Sequence, residues 1–179
     1  TIAMGDTMTV GSWNRHTHLT GSGTLIKTGS GLLTFEAEPT DAANPSDFSG
    51  TLEVQQGKVR SVNANLFKNA SVILGGPGTA YSIHHGGTTA ASQGQLRGLY
   101  GSGMVEFTNS GYARDLVILP GGVLSPGTAT AAGTITRGGS TSSIHRNELV
   151  FKTDGVSGNS KLEMDIFGAA QADADLISW

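Results

Sequence analysis

Apolar and polar residues alternate most clearly between Gly21 and Ala37. Leu25, Leu33 and Phe35 occupy odd positions, whereas most even positions carry Ser, Thr or Glu. A period of two predicts strands with one inward and one outward face. A central Gly-Ser-Gly predicts a bend that divides the segment into two short strands. Lys27 occupies an inward position, and we expect it to lie at the bend with its ammonium group in water.

Short segments of the same kind recur along the chain, each bounded by Gly, Asn, Asp, Pro or Ser. The N-terminal Thr1–Val10 alternates in the same way. Many short strands at nearly regular spacing are typical of a sandwich, a barrel or a solenoid. The other predicted strands are Thr51–Val54, Val59–Val62, Val72–Leu74, Leu116–Leu119, Thr134–Thr136, Leu149–Lys152, Leu162–Ile166 and Leu176–Ser178.

Three features favour the solenoid among these all-β folds. The hairpin signals Asn-Gly and Asp-Gly occur only at Asp154-Gly155. Gly-x-Gly bends join strands that continue in line, and Gly101–Gly111 repeats the layout of Gly21–Gly31. We therefore expect one domain over 1–179 with rungs of about 20–25 residues and about eight coils. The segments that do not fit a rung, and are expected to protrude, are Pro39–Ser49, Gly75–Gln95 and Gly138–Asn147.

The composition supports strands and excludes several other classes of protein. The chain of 179 residues contains 27 Gly, 20 Thr and 18 Ser, which disfavours a helical bundle. The net charge is −3 and the 11 Lys and Arg are scattered, which disfavours a surface for nucleic acid or anionic membrane. The chain has no Cys, hence no disulfide framework, and its apolar runs are too short for a membrane-spanning helix.

The Gly-Ser-Gly-Thr-Leu-Ile-Lys-Thr-Gly-Ser-Gly-Leu-Leu-Thr-Phe run resembles the autotransporter-associated β-strand repeat of bacterial surface and secreted proteins. Later segments are similar to the end of such a passenger domain. The resemblance lies in the order of low-complexity motifs rather than in any one of them. The segments that carry it are Gly21–Phe35, Phe48–Val59, Leu99–Gly103, Leu119–Gly127, Leu162–Gly168 and Ala174–Ser178.

This resemblance implies a right-handed parallel β-helix outside the cell. It also implies a role in adhesion or display, or as a structural stalk, because family members often serve in these ways. It carries over no catalytic residue, since the repeats have none to map onto this chain. The chain begins at Thr1 without the basic and apolar regions of a signal peptide, which leaves a mature chain or an excised fragment open.

Five histidines are the first candidates for binding chemistry. His16 and His18 would share one face of a strand, a geometry compatible with a metal ion, yet no third ligand lies nearby in sequence. His84 and His85 lie in an expected protrusion, where binding residues concentrate, but adjacent side chains on a strand point in opposite directions. His145 lies in an expected polar turn. We therefore predict solvated histidines and no metal site.

Three carboxylates near the C-terminal end are the second group of candidates. Asp165, Asp173 and Asp175 could form a calcium ladder or an acid pair on neighbouring rungs. The Gly-Gly-x-Gly-x-Asp repeat of calcium β-rolls is absent, so we expect turn aspartates instead. Other isolated candidates are Trp13, Tyr81, Tyr100 and Tyr112 for stacking on sugars, and the glycosylation sequon Asn69-Ala70-Ser71.

The sequence therefore predicts a non-enzymatic, extracellular or cell-surface β-solenoid with a structural or adhesive role and no catalytic, cofactor or metal site. Two alternatives remain open: a fibre subunit that stacks end to end, and a β-helix polysaccharide lyase or hydrolase. The expected partners are neighbouring subunits or further rungs at the terminal faces, together with a host or surface ligand. Neither nucleic acid nor membrane insertion is expected. Leu176 and Ile177 belong to an apolar strand at one such face.

Overall fold

The fold is known from a computed structural model. Every regular element in the part of the chain that the structure describes is a β-strand, which confirms the all-β expectation. The described residues are 2–3, 8–10, 19–36, 47–62, 66–84, 94–108, 115–128, 131–139, 148–153, 158–164 and 176–178.

Thirteen strands belong to one hydrogen-bonded sheet. The strands are β1 (Ile2–Ala3), β2 (Met8–Val10), β3 (Thr24–Thr28), β4 (Leu32–Phe35), β5 (Thr51–Val54), β6 (Lys58–Ser61), β7 (Ser71–Ile83), β8 (Gly94–Phe107), β9 (Leu116–Pro126), β10 (Thr134–Gly139), β11 (Leu149–Phe151), β12 (Lys161–Leu162) and β13 (Leu176–Ser178). The expected strand 51–54 has these bounds, and the Gly-Ser-Gly bend divides β3 from β4 as predicted.

The strands pair in parallel, and each pairs with segments distant in sequence. Ladder one consists of β1, β3, β5, the first half of β7, the middle of β8, the end of β9 and β12. Between two paired strands of this ladder the chain makes one excursion, in which it leaves the ladder and then returns to it. Thr24 pairs with Thr51, Thr51 with Ser71, Ser71 with Gly98 and Gly98 with Val123. The chain thus returns to the same ladder after 20 to 27 residues at these four steps.

Two further parallel ladders accompany the first. Ladder two contains β2, β4, β6, the second half of β7, the end of β8, β10 and β13. Its register places Leu33, Val59, Tyr81 and Val105 in one row. Ladder three contains the start of β8, the start of β9 and β11. Long strands such as β8 contribute to all three ladders in succession.

The hydrophobic core consists of the inward rows of these ladders. In ladder one, Leu52, Val72, Leu99 and Leu124 follow one another in register and are all buried. Four aromatic rings fill part of the space between the ladders. Phe67 lies at their centre and meets three rings edge to face, with centroid distances of 5.5 to 6.2 Å; its partners are Phe35, Phe48 and Tyr81.

One expectation about the chain's organisation is wrong, and one sequence repeat does not correspond to a repeat of the fold. The segment Gly75–Gln95 is not one protrusion, because β7 extends to Ile83 and β8 begins at Gly94. The repeat between Gly21–Gly31 and Gly101–Gly111 is also out of phase. Met104–Phe107 belongs to ladder two, whereas Thr24–Thr28 belongs to ladder one. The two copies of the motif therefore lie at different corners, a corner being the turn between two ladders. The recurrence of the motif marks a local bend and does not mark equivalent positions in successive levels, a level being one strand position along a ladder.

The inward row of ladder one contains a matched pair of leucines that tests the core. Leu52 is fully buried, whereas Leu162, at the end of the same row, is 51% exposed. Leu52→Ala should lower the free energy of unfolding by about 2–5 kcal/mol, because it leaves a cavity between two levels. Leu162→Ala should lower it by only about 1 kcal/mol. Urea unfolding measures both, and equal losses would contradict the assigned register.

Candidate functional site

Lys27 lies within the apolar inward row and not, as expected, with its ammonium group in water. The residue is fully buried, and its register neighbours are Ile2 and Val54. Its Nζ donates hydrogen bonds to the carbonyl oxygens of Thr28 at 2.8 Å, Gly29 at 2.6 Å and Gln56 at 3.3 Å. The three bonds match the three donors of an ammonium group. The side chain therefore turns out of the row toward the corner between ladders one and two.

This position affects the protonation of Lys27. Burial lowers the pKa of the ammonium group below the ordinary value of 10.5, because desolvation disfavours the charged form. The carbonyl oxygens contribute partial negative charge but no full counter-charge. Lys27 consequently fastens the turn after β3 to the turn after β5, and it does so at an electrostatic cost.

A surface groove of about 410 Å³ lies at the same corner. Its walls come from the turns that join ladder one to ladder two at three successive levels. The lining residues are Ser30, Gln55, Gln56, Gly57, Gly76, Pro77, Gly78 and Thr79. Every side chain in this lining is uncharged, so the groove offers hydroxyl and amide groups rather than ions.

Unequal turn lengths create the groove. Gly75 and Ala80 in β7 face Ser102 and Met104 in β8, so β7 has three more residues at this corner. The turn below is tight: Gly57 has a positive φ of 68°, and a Cβ there would lie 2.6 Å from the carbonyl oxygens of Gly29 and Gly31. Val54 pairs with Leu74 and Lys58 with Ala80, so the turn of β7 is also two residues longer than the turn beneath it. The groove lies beside this longer turn.

A charged patch adjoins the groove on the outer face of ladder two. Lys58 directly follows Gly57, and its Nζ lies 2.5 Å from Oε1 of Glu106. This ion pair joins β6 to β8 and crosses the strand between them. Ala80 and Ser82 lie on that strand with the outward parity, and both are buried.

Arg60 is the second cation of the patch, and it forms no ion pair with any of the described residues. It shares the outward parity of Lys58, and its register neighbours are Thr34 and Ser82. Its Nε is buried without a hydrogen-bond partner. A buried donor left unsatisfied costs on the order of 1–3 kcal/mol. The nearby carboxylate, Glu106, is already bound by Lys58.

Of the histidine candidates, only His84 falls within the described residues. Its Nδ1 lies 2.9 Å from Oγ1 of Thr108, and its backbone N–H donates to the carbonyl oxygen of Ser61 at 2.9 Å. His84 is therefore joined to the neighbouring level by a side-chain hydrogen bond. The candidates that lie outside the described residues are His16, His18, His85, His145, Asp165, Asp173, Asp175, Trp13 and Tyr112.

The two described tyrosines differ in environment. Tyr81 is buried in the aromatic cluster, and burial raises the pKa of its hydroxyl although a hydrogen bond with Ser61 acts in the opposite direction. Tyr100 is half-buried and crosses Gly98, where a Cβ would lie 2.5 Å from the tyrosine ring. Burial and the charge of Glu163 raise the pKa of Tyr100, against the effect of its hydrogen bond with Ser71. Neither ring forms a free stacking platform.

A cluster of metal ligands and a membrane-spanning helix are both absent from the described residues. No group of three or more His, Cys, Asp or Glu side chains there could hold a metal ion. No helix in that part of the chain is long and apolar enough to cross a membrane. Asn69 of the sequon is exposed at the turn before β7.

The groove and the charged patch were not anticipated as a site. The local signal for the patch was present in the Lys-Val-Arg alternation of β6, which places two cations on one face. The proximity of Glu106 depends on the pairing of distant strands and has no local signal.

Comparison with known proteins gives no relative: no family model, curated protein or solved structure matches the chain.

The buried ammonium group predicts a pH-dependent stability. Because the pKa of Lys27 is lowered in the folded chain, the unfolded chain binds more protons at this residue as the pH approaches 10.5, and stability rises there. The free energy of unfolding should therefore rise between pH 7 and pH 10 relative to that of Lys27→Met. Urea unfolding measures this difference, and Lys152→Met controls for the loss of one exposed charge. A difference that stays constant or falls would contradict the prediction.

Proposed function

We propose that this chain is a right-handed parallel β-solenoid that acts outside the cell as a non-enzymatic structural or adhesive element. Each coil contributes strands to successive ladders, and the coils stack with their apolar side chains inward. Ladders one and two each have seven described levels, close to the expected eight coils.

The observation that carries this proposal is the return of the chain to the same ladder. Between Thr24 and Thr51 the chain visits ladder two through β4. Between Ser71 and Gly98 it visits ladder two and then ladder three before it returns. A chain that winds in one sense makes such pairings with every neighbour parallel. The resulting stack is extended and repetitive, and its rigidity suits a stalk or a display surface.

The extracellular setting is supported by the resemblance to the autotransporter-associated β-strand repeat. The bend between β3 and β4, which lies in one of the segments that carry the resemblance, has a defined role in the fold. Its carbonyl oxygens bind Lys27, and its backbone lies against Gly57 of the next level. The motif Gly-x-Gly therefore supplies a tight corner at which successive coils can stack.

The enzymatic alternative, a polysaccharide lyase or hydrolase, requires several charged groups that converge on one face. Lys58, Arg60 and Glu106 form a group of charged residues of this kind. The carboxylate is paired with Lys58 and is joined there by no second carboxylate for acid and base catalysis. The non-enzymatic function fits this arrangement better.

A fibre subunit is the alternative that one observation specifically favours. The large hydrophobic side chains exposed in the described residues lie on or beside terminal strands of the ladders; they are Met8, Phe151, Leu162 and Met164. Each of three of these residues is the last in a row of register partners. The terminal residue and its partner are Met8 and Leu33, Leu162 and Leu124, and Phe151 and Ile118. A further coil or a second copy would continue these rows, and the partners of the proposed solenoid are of this kind.

Removal of one whole coil tests the solenoid. Deletion of residues Thr51–Ala70 places Ser71 where Thr51 pairs with Thr24, so every inward row stays in register. We expect a shorter chain that keeps a β-type circular dichroism spectrum and unfolds cooperatively at a lower temperature. Deletion of Thr51–Arg60, half the length, breaks the phase of the ladders and should abolish folding. An unfolded whole-coil variant would contradict the proposed architecture.

Exposure on the cell surface tests the functional setting. A protease added to intact cells that make the native protein should remove the chain, because an extracellular stalk is accessible without lysis. A cytoplasmic protein detected in the same sample should remain uncut and serves as the control. Cleavage that requires lysis would contradict the extracellular function.

A further inference from the structure

We propose that the corner groove and the adjoining outer face of ladder two bind an acidic saccharide, and that Arg60 binds its carboxylate group. The inference goes beyond the structural role. It depends on described side chains and not on the location of the protein.

The groove supplies the neutral part of this site. The side-chain oxygen of Gln56 accepts a hydrogen bond from the backbone N–H of Gly29 at 3.2 Å, which leaves its amide nitrogen as a donor. The hydroxyl of Ser30, in the same lining, has no partner among the described residues. Both side chains are exposed. Hydroxyl groups of a sugar can use such donors and acceptors without the burial of a charge.

The ladder-two side supplies the cationic part. Lys58 follows the groove residue Gly57, and Arg60 lies two positions farther along the same face. Lys58 and Glu106 neutralise one another, so the guanidinium of Arg60 carries the net positive charge of the patch. A planar guanidinium suits a carboxylate because it donates two parallel hydrogen bonds. A bound carboxylate would also give Arg60 an anionic partner, which no described residue provides.

The residues on the opposite side of the groove determine which way round the ligand would lie. Glu53 lies on the outer face of ladder one and accepts a hydrogen bond from Nε2 of Gln55 at 2.8 Å. Its negative charge disfavours an anionic group on that side. The carboxylate of the ligand is therefore expected over β6, with its neutral portion in the groove.

The lining favours a saccharide over an acidic peptide. Pro77 is the one apolar side chain in it, and peptide recognition generally relies on apolar or aromatic anchors in pockets. Amides, hydroxyls and backbone groups of glycine-rich turns instead match the dense hydroxyl pattern of a sugar chain.

Titration calorimetry with a galacturonate tetrasaccharide and a neutral galactose tetrasaccharide tests the proposal. The acidic ligand should bind more tightly, and its affinity should fall as the salt concentration rises. Arg60→Gln should weaken acidic binding by about tenfold or more, the loss expected for a charge-assisted hydrogen bond, and should remove the preference over the neutral ligand.

Arg97→Gln is the matched control. Arg97 is an exposed arginine in β8 between ladder three and ladder one, where it donates to the carbonyl oxygen of Pro120 at 2.7 Å. Its replacement removes the same charge and should leave the affinity unchanged. Gln56→Ala should weaken the binding of both ligands to the same extent. This result would distinguish the contribution of the groove from that of the Arg60 guanidinium. Circular dichroism establishes that each variant is folded.

Several results would overturn the proposal: no binding of the acidic ligand, equal binding of the neutral one, unchanged affinity in Arg60→Gln, or an equal loss in Arg97→Gln. Equal binding of a tetraglutamate peptide would likewise overturn the choice of a saccharide. None of these results affects the whole-coil deletion, so failure of the binding site and failure of the proposed architecture are distinguishable.

Discussion

The rest of this structure depends on one constraint: strands pair in parallel with strands to which the chain returns after it has left the ladder. Each interior strand is hydrogen-bonded on both sides, so its register is set by the level before it and sets the level after it. With register fixed, side chains of like parity fall into rows, and the inward rows become the core. Leu52 is buried because Leu25 and Val72 lie beside it in that row, not because of its immediate neighbours in sequence.

Lys27 illustrates how strongly register dominates local preference. A lysine in an apolar row would ordinarily extend to solvent, and the bend next to it provides a short route. The neighbouring levels close over the row, and the ammonium group instead meets the carbonyl oxygens of Thr28, Gly29 and Gln56. Two of these oxygens belong to its own bend, and the third belongs to the next level. The desolvated charge thus holds together the two turns that form the floor of the groove.

Alternation in the sequence predicts well which side chains share a face of a strand. It predicts poorly which strands pair with one another. The parities of Leu33 and Phe35 follow from local pattern, because a strand turns successive side chains to opposite sides. The length of β8 does not follow, since its glycines indicate turns while the chain continues through three ladders. The shared layout of Gly21–Gly31 and Gly101–Gly111 likewise does not reveal that their strands belong to different ladders. The conformation of a turn depends on nearby residues. The position of that turn along the ladders depends instead on the number of residues in every preceding excursion of the chain.

The candidate site has the same origin as the core. The alternation of Lys58 and Arg60 is readable in the sequence, but Glu106 is 48 residues from Lys58 and reaches it only across an intervening strand. Three extra residues in β7 open the groove beside them, and their effect depends on the tighter turns at adjacent levels. A stack whose levels were identical would have uniform corners and a uniform outer face. Departures from strict repetition are therefore where this fold can acquire chemistry, because only there do neighbouring levels present different groups to the same ligand.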